Sequence, residues 1–168
     1  MEFMFLLNRK SNKIMKHRIR VGVIIVNDNK ILMVKHVDPE SNYTWWVPPG
    51  GGIEENDDSI FDCAKREVFE ETNLTVELSR IIYIREFISK ETQVLNVELF
   101  TLADSYNGEI GMGNIKGNGP DEDFIKEVAW LSKEDLKDVI VFPEILKDEF
   151  WDDYASGFSG TKYLGRQI

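Results

Sequence analysis

The stretch from Trp45 to Leu74 constrains the fold of this chain most strongly, because it joins a short apolar strand, a proline-glycine loop and a helix. Read as a helix, its second half places three glutamates at positions i, i+3 and i+4, with their carboxylates on one face: Glu67, Glu70 and Glu71. Like charges at this spacing repel each other. A divalent cation such as Mg²⁺ or Mn²⁺ would offset the repulsion, since both ions accept clustered oxygen ligands.

The alternative for these glutamates is an acidic helix face exposed to solvent, which is the usual role of a charge run. The preceding loop favours the metal site. Pro48 and Pro49 prevent further strand pairing, and the glycines at 50–52 allow the backbone to bend tightly beside a ligand. The loop and the helix together therefore indicate a binding site.

The spacing in this stretch resembles the Nudix box, whose pattern is Gly, five residues, Glu, seven residues, and then Arg-Glu-apolar-x-Glu-Glu-x-Gly-apolar. Gly52, Asp58 and Arg66 fall on that spacing, and the residues from Arg66 onward continue it. Asp58 stands where the pattern has glutamate, Asn73 stands where it has glycine, and the loop is one residue longer than in the commoner arrangement. The resemblance covers residues 52–74 and implies an α/β/α sandwich that hydrolyses a nucleoside diphosphate linked to another moiety.

The resemblance also implies roles for individual residues. The expected ligands of Mg²⁺ or Mn²⁺ are Glu67, Glu70, Glu71 and the carbonyl of Gly52. The expected catalytic group is Arg66, Glu67, Glu70 and Glu122. Arg66 would orient a neighbouring glutamate through a charge-assisted hydrogen bond. The proton of the attacking water would go to Glu67 or to an acid in the 121–123 loop, for which Glu122 is the candidate.

Trp46, Trp45 and Gly51 are the candidates for substrate binding. Adjacent residues on a strand point to opposite faces, so one tryptophan is expected to face the core and the other to line a pocket. A tryptophan ring offers a flat surface on which a nucleobase can stack, although packing in the core is its commoner use. The backbone at Gly51 can approach a ligand closely.

Asp58 and Glu98 are candidates for a supporting role around the metal. Asp58 is shorter than the glutamate of the pattern by about 1.5 Å of reach, and it could instead serve as the helix cap. Glu98 lies among apolar neighbours, where a carboxylate is costly unless it is paired or bound to a metal. The alternative is that Glu98 faces solvent together with Asn96.

Composition limits the classes of partner. With 20 basic and 30 acidic residues in 168, the net charge is −10, which disfavours nucleic-acid binding because phosphate backbones are held by basic surfaces. A small diphosphate substrate remains compatible if metal ions bridge the two sets of negative charge. No segment approaches the roughly 20 apolar residues that span a bilayer, so no membrane contact is expected. A single cysteine, Cys63, fits a reducing compartment, and we expect a cytoplasmic protein.

The order of apolar runs predicts an α/β (α+β) fold with a mixed sheet and flanking helices. Strands are expected at residues 19–26, 31–35, 75–86, 92–102 and 127–131, the last being the final strand, and further helices are expected at 132–137 and from Pro143. Residues 1–14 are interpreted as a peripheral basic extension and 15–168 as a single Nudix-like domain. A homodimer is an open alternative to a monomer. A non-catalytic Nudix-like domain that binds a nucleotide and regulates a partner is the alternative to the enzyme.

Overall fold

The computed structural model describes residues 16–89, 93–112 and 123–167, which form two β-sheets and four helices. The strands are β1 (His17–Ile24), β2 (Val26–Asn27), β3 (Lys30–Val37), β4 (Thr44–Val47), β5 (Gly50–Gly52), β6 (Thr75–Ile88), β7 (Leu95–Asn107), β8 (Ile125–Ser132) and β9 (Lys162–Gln167). The helices are α1 (Ile60–Thr72), α2 (Lys133–Lys137), a short 3₁₀-helix (Glu144–Lys147) and α3 (Glu149–Ala155). The predicted extension at residues 1–14 lies outside the described part of the chain.

The larger sheet has the strand order β5-β1-β7-β6-β9. Within it β1 runs parallel to β7 and β6 runs parallel to β9, whereas the pairs β1–β5 and β6–β7 are antiparallel. The smaller sheet is antiparallel, with β3 flanked by β4 and β8 and with β2 paired to the start of β3. The predicted mixed sheet is therefore confirmed.

Local hydrogen bonding and backbone conformation define both ends of the first helix, α1. The side chain of Ser59 accepts a hydrogen bond from the backbone N–H of Asp62, which satisfies one of the free donors of the first turn. Asn73 ends the helix in the left-handed conformation with φ 61°, which asparagine tolerates better than most residues. Ala64 and Val68 are fully buried, as their helical spacing predicts.

Two hydrophobic cores lie on opposite faces of the large sheet. One core joins α1 to the sheet through Val21, Val23, Cys63, Ala64 and Val68, together with further residues of β3 and β6. The other core joins the sheet to α2, the 3₁₀-helix and α3 through Ile24, Phe100, Leu136, Leu146 and Phe150. Alternate residues of β1 thus face different cores. This arrangement confirms the predicted α/β/α sandwich.

Two expectations for the C-terminal part were wrong. The strand at Ile125–Ser132 is not the last one, because Lys162–Gln167 pairs with β6 in parallel. The segment that begins at Pro143 is a 3₁₀-helix followed by a separate α-helix. Parallel pairing depends on contacts between residues far apart in sequence, and the polar composition of the tail gave no local signal for it. None of the helices in the described ranges is long and apolar enough to cross a membrane.

Candidate active site

The glycine strand β5 holds the backbone against the glutamates of α1. The backbone N–H of Gly50 donates a hydrogen bond to Oε2 of Glu71 over 2.9 Å. Gly50 has a φ of 156°, and a Cβ at this position would lie 2.0 Å from the carbonyl oxygen of Val21. Only glycine fits there, because any side chain would collide with the backbone of β1.

The next glycine makes room for a carboxylate. A Cβ on Gly51 would lie 2.3 Å from Oε1 of Glu67, so the backbone of β5 and the Glu67 side chain are in direct contact. Gly51 therefore lies beside the predicted metal ligand Glu67. Because Gly51 has no side chain, the carboxylate of Glu67 can lie against the backbone of β5. Its predicted role in substrate binding stays a prediction.

Arg66 lies at the centre of the acidic cluster and joins the loop to the helix. Its Nη1 donates to Oε1 of Glu67 over 2.9 Å and to Oε2 of Glu70 over 3.3 Å. Its Nη2 donates to the carbonyl of Gly52 over 3.2 Å. Its Nε and Nη2 also donate to the two carboxylate oxygens of Asp57, over 2.9 and 2.8 Å. One guanidinium thus donates hydrogen bonds to three carboxylates and to a predicted metal-binding carbonyl.

Asp57, and not Asp58, is the loop acid that reaches Arg66. The side chain of Asp57 is 5% exposed, whereas Asp58 is exposed to solvent. Among the described residues no hydrogen bond or ion pair involves the side chain of Asp58. The extra residue in the loop accounts for the difference, since it displaces the acid by one position relative to the Nudix-box spacing. Asp57 is thus a site residue that sequence reasoning missed.

The ionisation of the cluster follows from these contacts. Hydrogen bonds from Arg66 lower the pKa of Asp57 to about 2 and raise the pKa of Arg66 itself. Burial raises the pKa of Glu67, and the charge of Arg66 partly counteracts that rise. Asp57 and Arg66 are consequently a permanent ion pair at neutral pH.

The donor set fits a divalent cation in charge and in ligand type. In the described part of the chain, no three His, Cys, Asp or Glu side chains are already arranged closely enough to hold a metal ion. The contacts explain this, because Arg66 draws Glu67 and Glu70 toward itself while Glu71 turns to the N–H of Gly50. Arg66 carries one positive charge, so the carboxylates around it keep a net negative charge. Hard oxygen donors in excess of local positive charge suit Mg²⁺ or Mn²⁺ once the side chains rotate toward a common point.

Cys63 lies beneath this cluster as a buried structural residue. Its side chain is fully buried, and its Sγ donates to the carbonyl of Gly52 over 3.4 Å. Burial, with the neighbouring carboxylate charges, raises the pKa of the Cys63 thiol to about 12. The thiol therefore stays protonated at neutral pH, as expected for a core cysteine.

The two tryptophans point in opposite directions, as the strand alternation predicts. Trp46 is 6% exposed and packs in the core between the sheet and the C-terminal helices. Trp45 stacks on the rings of His36 and Tyr43, with centroids 5.3 and 5.5 Å away. His36 lies near the end of β3 and is buried. Substrate binding by either tryptophan stays a prediction.

Glu98 is neither exposed nor unpaired. It is 9% exposed and lies between two arginines on neighbouring strands, Arg20 on β1 and Arg85 on β6. Its Oε1 lies 3.3 Å from Nε of Arg20, and its Oε2 accepts a hydrogen bond from Nε of Arg85. The expectation that Glu98 faces solvent with Asn96 was wrong, since both side chains are buried. Sequence reasoning missed both arginines, although Arg85 also interrupts an apolar strand.

Glu122, the candidate general base of the loop, lies outside the described residues. The described part of that loop resumes at Asp123, which is exposed and lies two residues before the start of β8. The role of Glu122 therefore stays a prediction.

Comparisons with known proteins identify the family and agree with the fold. The family model described as NUDIX domain matches residues 16–150. Because that match covers most of the length of this chain, the chain belongs to the NUDIX family. An RNA pyrophosphohydrolase from Pelagibacter ubique is 38% identical over 60 residues, which are 34% of this chain and 36% of that protein. An RNA pyrophosphohydrolase from Novosphingobium aromaticivorans is 26% identical over 141 residues, covering 72% of this chain and 81% of that protein.

The chain thus spans only about a third of the length of the first of these relatives. Among solved structures, a MutT NUDIX hydrolase from Burkholderia pseudomallei superposes with a TM-score of 0.63 at 23% identity, covering 80% of this chain and 97% of that one. At this identity the likeness shows the fold. The predicted family resemblance is confirmed.

Replacing Asp57 with Asn should destabilise the protein, because it leaves Arg66 without its bidentate partner. The expected loss in the free energy of unfolding is about 2 kcal/mol, typical for hydrogen bonds to a charged group. Asp58→Asn is the matched control and should change the same quantity by less than about 0.5 kcal/mol. Urea unfolding at neutral pH measures both. Equal effects of the two substitutions would contradict the assignment of Asp57.

The contribution of the Asp57–Arg66 pair should depend on pH with a defined sign. The pKa of Asp57 falls from 3.8 to about 2 in the folded state, so the stabilisation is complete above the higher value and is lost as the pH falls toward the lower one. The difference in unfolding free energy between the parent protein and Asp57→Asn should therefore shrink as the pH decreases through this range. Urea titrations at a series of pH values test this. A difference that grows toward acid would refute it.

Proposed function

We propose that this protein is a divalent-metal-dependent pyrophosphohydrolase that uses water to cleave a nucleoside diphosphate linked to another moiety. The observation that supports this most is the acidic face of α1, where Glu67 and Glu70 are held by Arg66 against the glycine strand β5. Membership of the NUDIX family and the similarity to proteins named RNA pyrophosphohydrolase point in the same direction.

Glu67, Glu70, Glu71 and the carbonyl of Gly52 would hold the Mg²⁺ or Mn²⁺ ions. Bound metal of this kind neutralises a diphosphate and polarises the water that attacks phosphorus. The oxygens of Glu67 and Glu70 lie on the same side of α1 through their shared contact with Nη1 of Arg66. The carbonyl of Gly52 meets the same guanidinium at Nη2. The four candidate ligands thus come from one strand and one helix, and the glutamate side chains would have to rotate to bind one ion.

The side chains of the site would have separate roles in the reaction. Arg66 is a positioning residue that fixes the carboxylates, and its bidentate contact with Asp57 anchors it to the loop. Glu67 or an acid of the 121–123 loop would take the proton of the attacking water. Gly51 leaves space for the carboxylate of Glu67, and Gly50 lets β5 lie against the backbone of β1.

The substrate is a diphosphate whose other part is a small molecule or the end of an RNA chain. The net charge of −10 disfavours extended contacts with a nucleic-acid backbone, and metal ions at the glutamates of α1 would offset the repulsion between those carboxylates and a diphosphate. Because two relatives are named RNA pyrophosphohydrolase, the end of an RNA chain is also a candidate substrate. A single buried cysteine fits activity in the cytoplasm. The protein would act there as a monomer or as a homodimer.

The alternative is a NUDIX domain that binds a nucleotide without catalysis. The sequence feature that favours this alternative is Asp58, which stands at a position where the Nudix box has glutamate. The contact between Asp57 and Arg66 supplies the loop acid from the neighbouring position, and this supports the enzyme over the binding domain.

A panel of nucleoside triphosphates, nucleotide sugars, dinucleoside polyphosphates and 5′-triphosphorylated RNA tests the proposal. The protein should hydrolyse at least one of them with Mg²⁺ or Mn²⁺ and none of them in excess chelator. Gly51→Ala should lower kcat/KM by at least about 100-fold, because the added Cβ displaces Glu67. Gly160→Ala is the matched control, since a Cβ there meets no atom within 4 Å.

Isotope-labelled water would show which phosphorus the solvent oxygen joins. A protein that hydrolyses no member of the panel with either metal would refute the enzyme. An unchanged activity in Gly51→Ala would refute the proposed place of Glu67 in the site.

A further inference from the structure

Three charged side chains form a row across neighbouring strands of the large sheet, on the face opposite α1. Arg20 on β1 is the register partner of Glu98 on β7, and Glu98 is the register partner of Arg85 on β6. The carboxylate of Glu98 contacts Arg20 through one oxygen and Arg85 through the other. Two cations share one anion, so the row has one positive charge in excess in a protein whose net charge is −10.

Arg85 is the fixed member of this row. Its side chain is 6% exposed, and its Nη1 donates to Oε1 of Gln167 over 2.6 Å. Its guanidinium lies 5.3 to 5.8 Å from the ring centroids of Phe87, Phe100 and Phe142. Arg85 therefore supplies a charge that is held in place behind the cleft described next.

Arg20 is the accessible member. Its side chain is 20% exposed, and its Nε lies 3.3 Å from Glu98. Within residues 16–89, 93–112 and 123–167, the guanidinium of Arg20 makes no hydrogen bond that meets the usual geometric criteria. Its terminal N–H groups are therefore available to a ligand, and a guanidinium fits the oxygens of a phosphate with two parallel hydrogen bonds.

Both arginines line one cleft that adjoins the candidate active site. Its lining includes Arg20, Arg85, Glu98, Gly50, Phe100 and Phe142. Gly50 also donates its N–H to Glu71, and Arg20 pairs in register with Gly52. The cationic cleft therefore begins at the same glycine strand, β5, whose Gly50 holds Glu71 of the acidic face.

We propose that Arg20 and Arg85 form a subsite for a phosphate group beyond the two that the scissile bond joins, so that the preferred substrate class is a triphosphate. This inference rests on the proposed function and specifies its substrate. Arg20 contacts the phosphate directly, and Arg85 supplies the fixed charge behind it. Glu98 holds both arginines in position and limits the excess charge of the cleft to one.

The first test is the ratio of kcat/KM for adenosine triphosphate to kcat/KM for an adenosine diphosphate sugar. Arg20→Gln should lower this ratio by about 10- to 100-fold, as expected when hydrogen bonds to a charged group are lost. Arg80→Gln is the matched control, because Arg80 lies on the same strand as Arg85 but stacks on Phe158 and donates to the carbonyl of Gly157. The control should leave the ratio unchanged. An unchanged ratio in Arg20→Gln would overturn the subsite.

The second test measures the binding of inorganic tripolyphosphate by calorimetry in the presence of chelator. The parent protein should bind it, Arg20→Gln should weaken binding at least about 10-fold, and Glu98→Gln should tighten it several-fold because the only anion of the row is removed. A variant that merely disturbed the fold would weaken binding, so the opposite sign for Glu98→Gln separates the two explanations. No binding to the parent protein, or equal binding to Arg20→Gln, would overturn the subsite.

The two proposals fail in different ways. A protein that hydrolyses the nucleotide sugar but binds tripolyphosphate without regard to Arg20 keeps the proposed function and loses the subsite. A protein that binds tripolyphosphate through Arg20 but hydrolyses nothing with either metal keeps the subsite and loses the proposed function.

Discussion

The guanidinium of Arg66 connects the parts of the site that the chain would otherwise hold apart. Its pair with Asp57 fixes the loop, its contacts with Glu67 and Glu70 fix the exposed face of α1, and its bond to Gly52 fixes the end of β5. A carboxylate cluster without such a cation would push the loop away from the helix. The same cation leaves the carboxylates in excess, so the cluster stays able to accept a divalent metal.

The large sheet places this cluster beside a second charged region. Strand β1 pairs with the glycine strand β5 on one side and with β7 on the other, so Arg20 is next to Gly52 and to Glu98. Val21 and Val23 of β1 pack under α1, whereas Arg20 on the opposite face of the strand lines the cleft. Anionic and cationic regions are therefore separated by a single strand, an arrangement suited to a ligand that combines metal-bound and free phosphates.

The sequence predicted the local features of α1 and failed where contacts are long-range. The caps at Ser59 and Asn73 depend on local backbone chemistry, and helical spacing was sufficient to predict the buried face. The choice of Asp57 over Asp58 depends on how a loop folds back on the helix, which residue spacing alone does not determine. The burial of Glu98 depends on arginines from two other strands, so strand alternation gave the wrong environment. Strand β9 was missed because its partner is distant in sequence.

The central claim is that the glutamates of α1 hold a divalent cation, and Mn²⁺ binding followed by electron paramagnetic resonance tests it most directly. The parent protein should reduce the signal of free Mn²⁺, and the double variant Glu70→Gln with Glu71→Gln should lose most of that effect. Asp152→Asn, an exposed acid on α3, is the control and should bind Mn²⁺ like the parent protein. A parent protein that leaves the free signal unchanged, or a double variant that binds as well as the parent, would contradict the account.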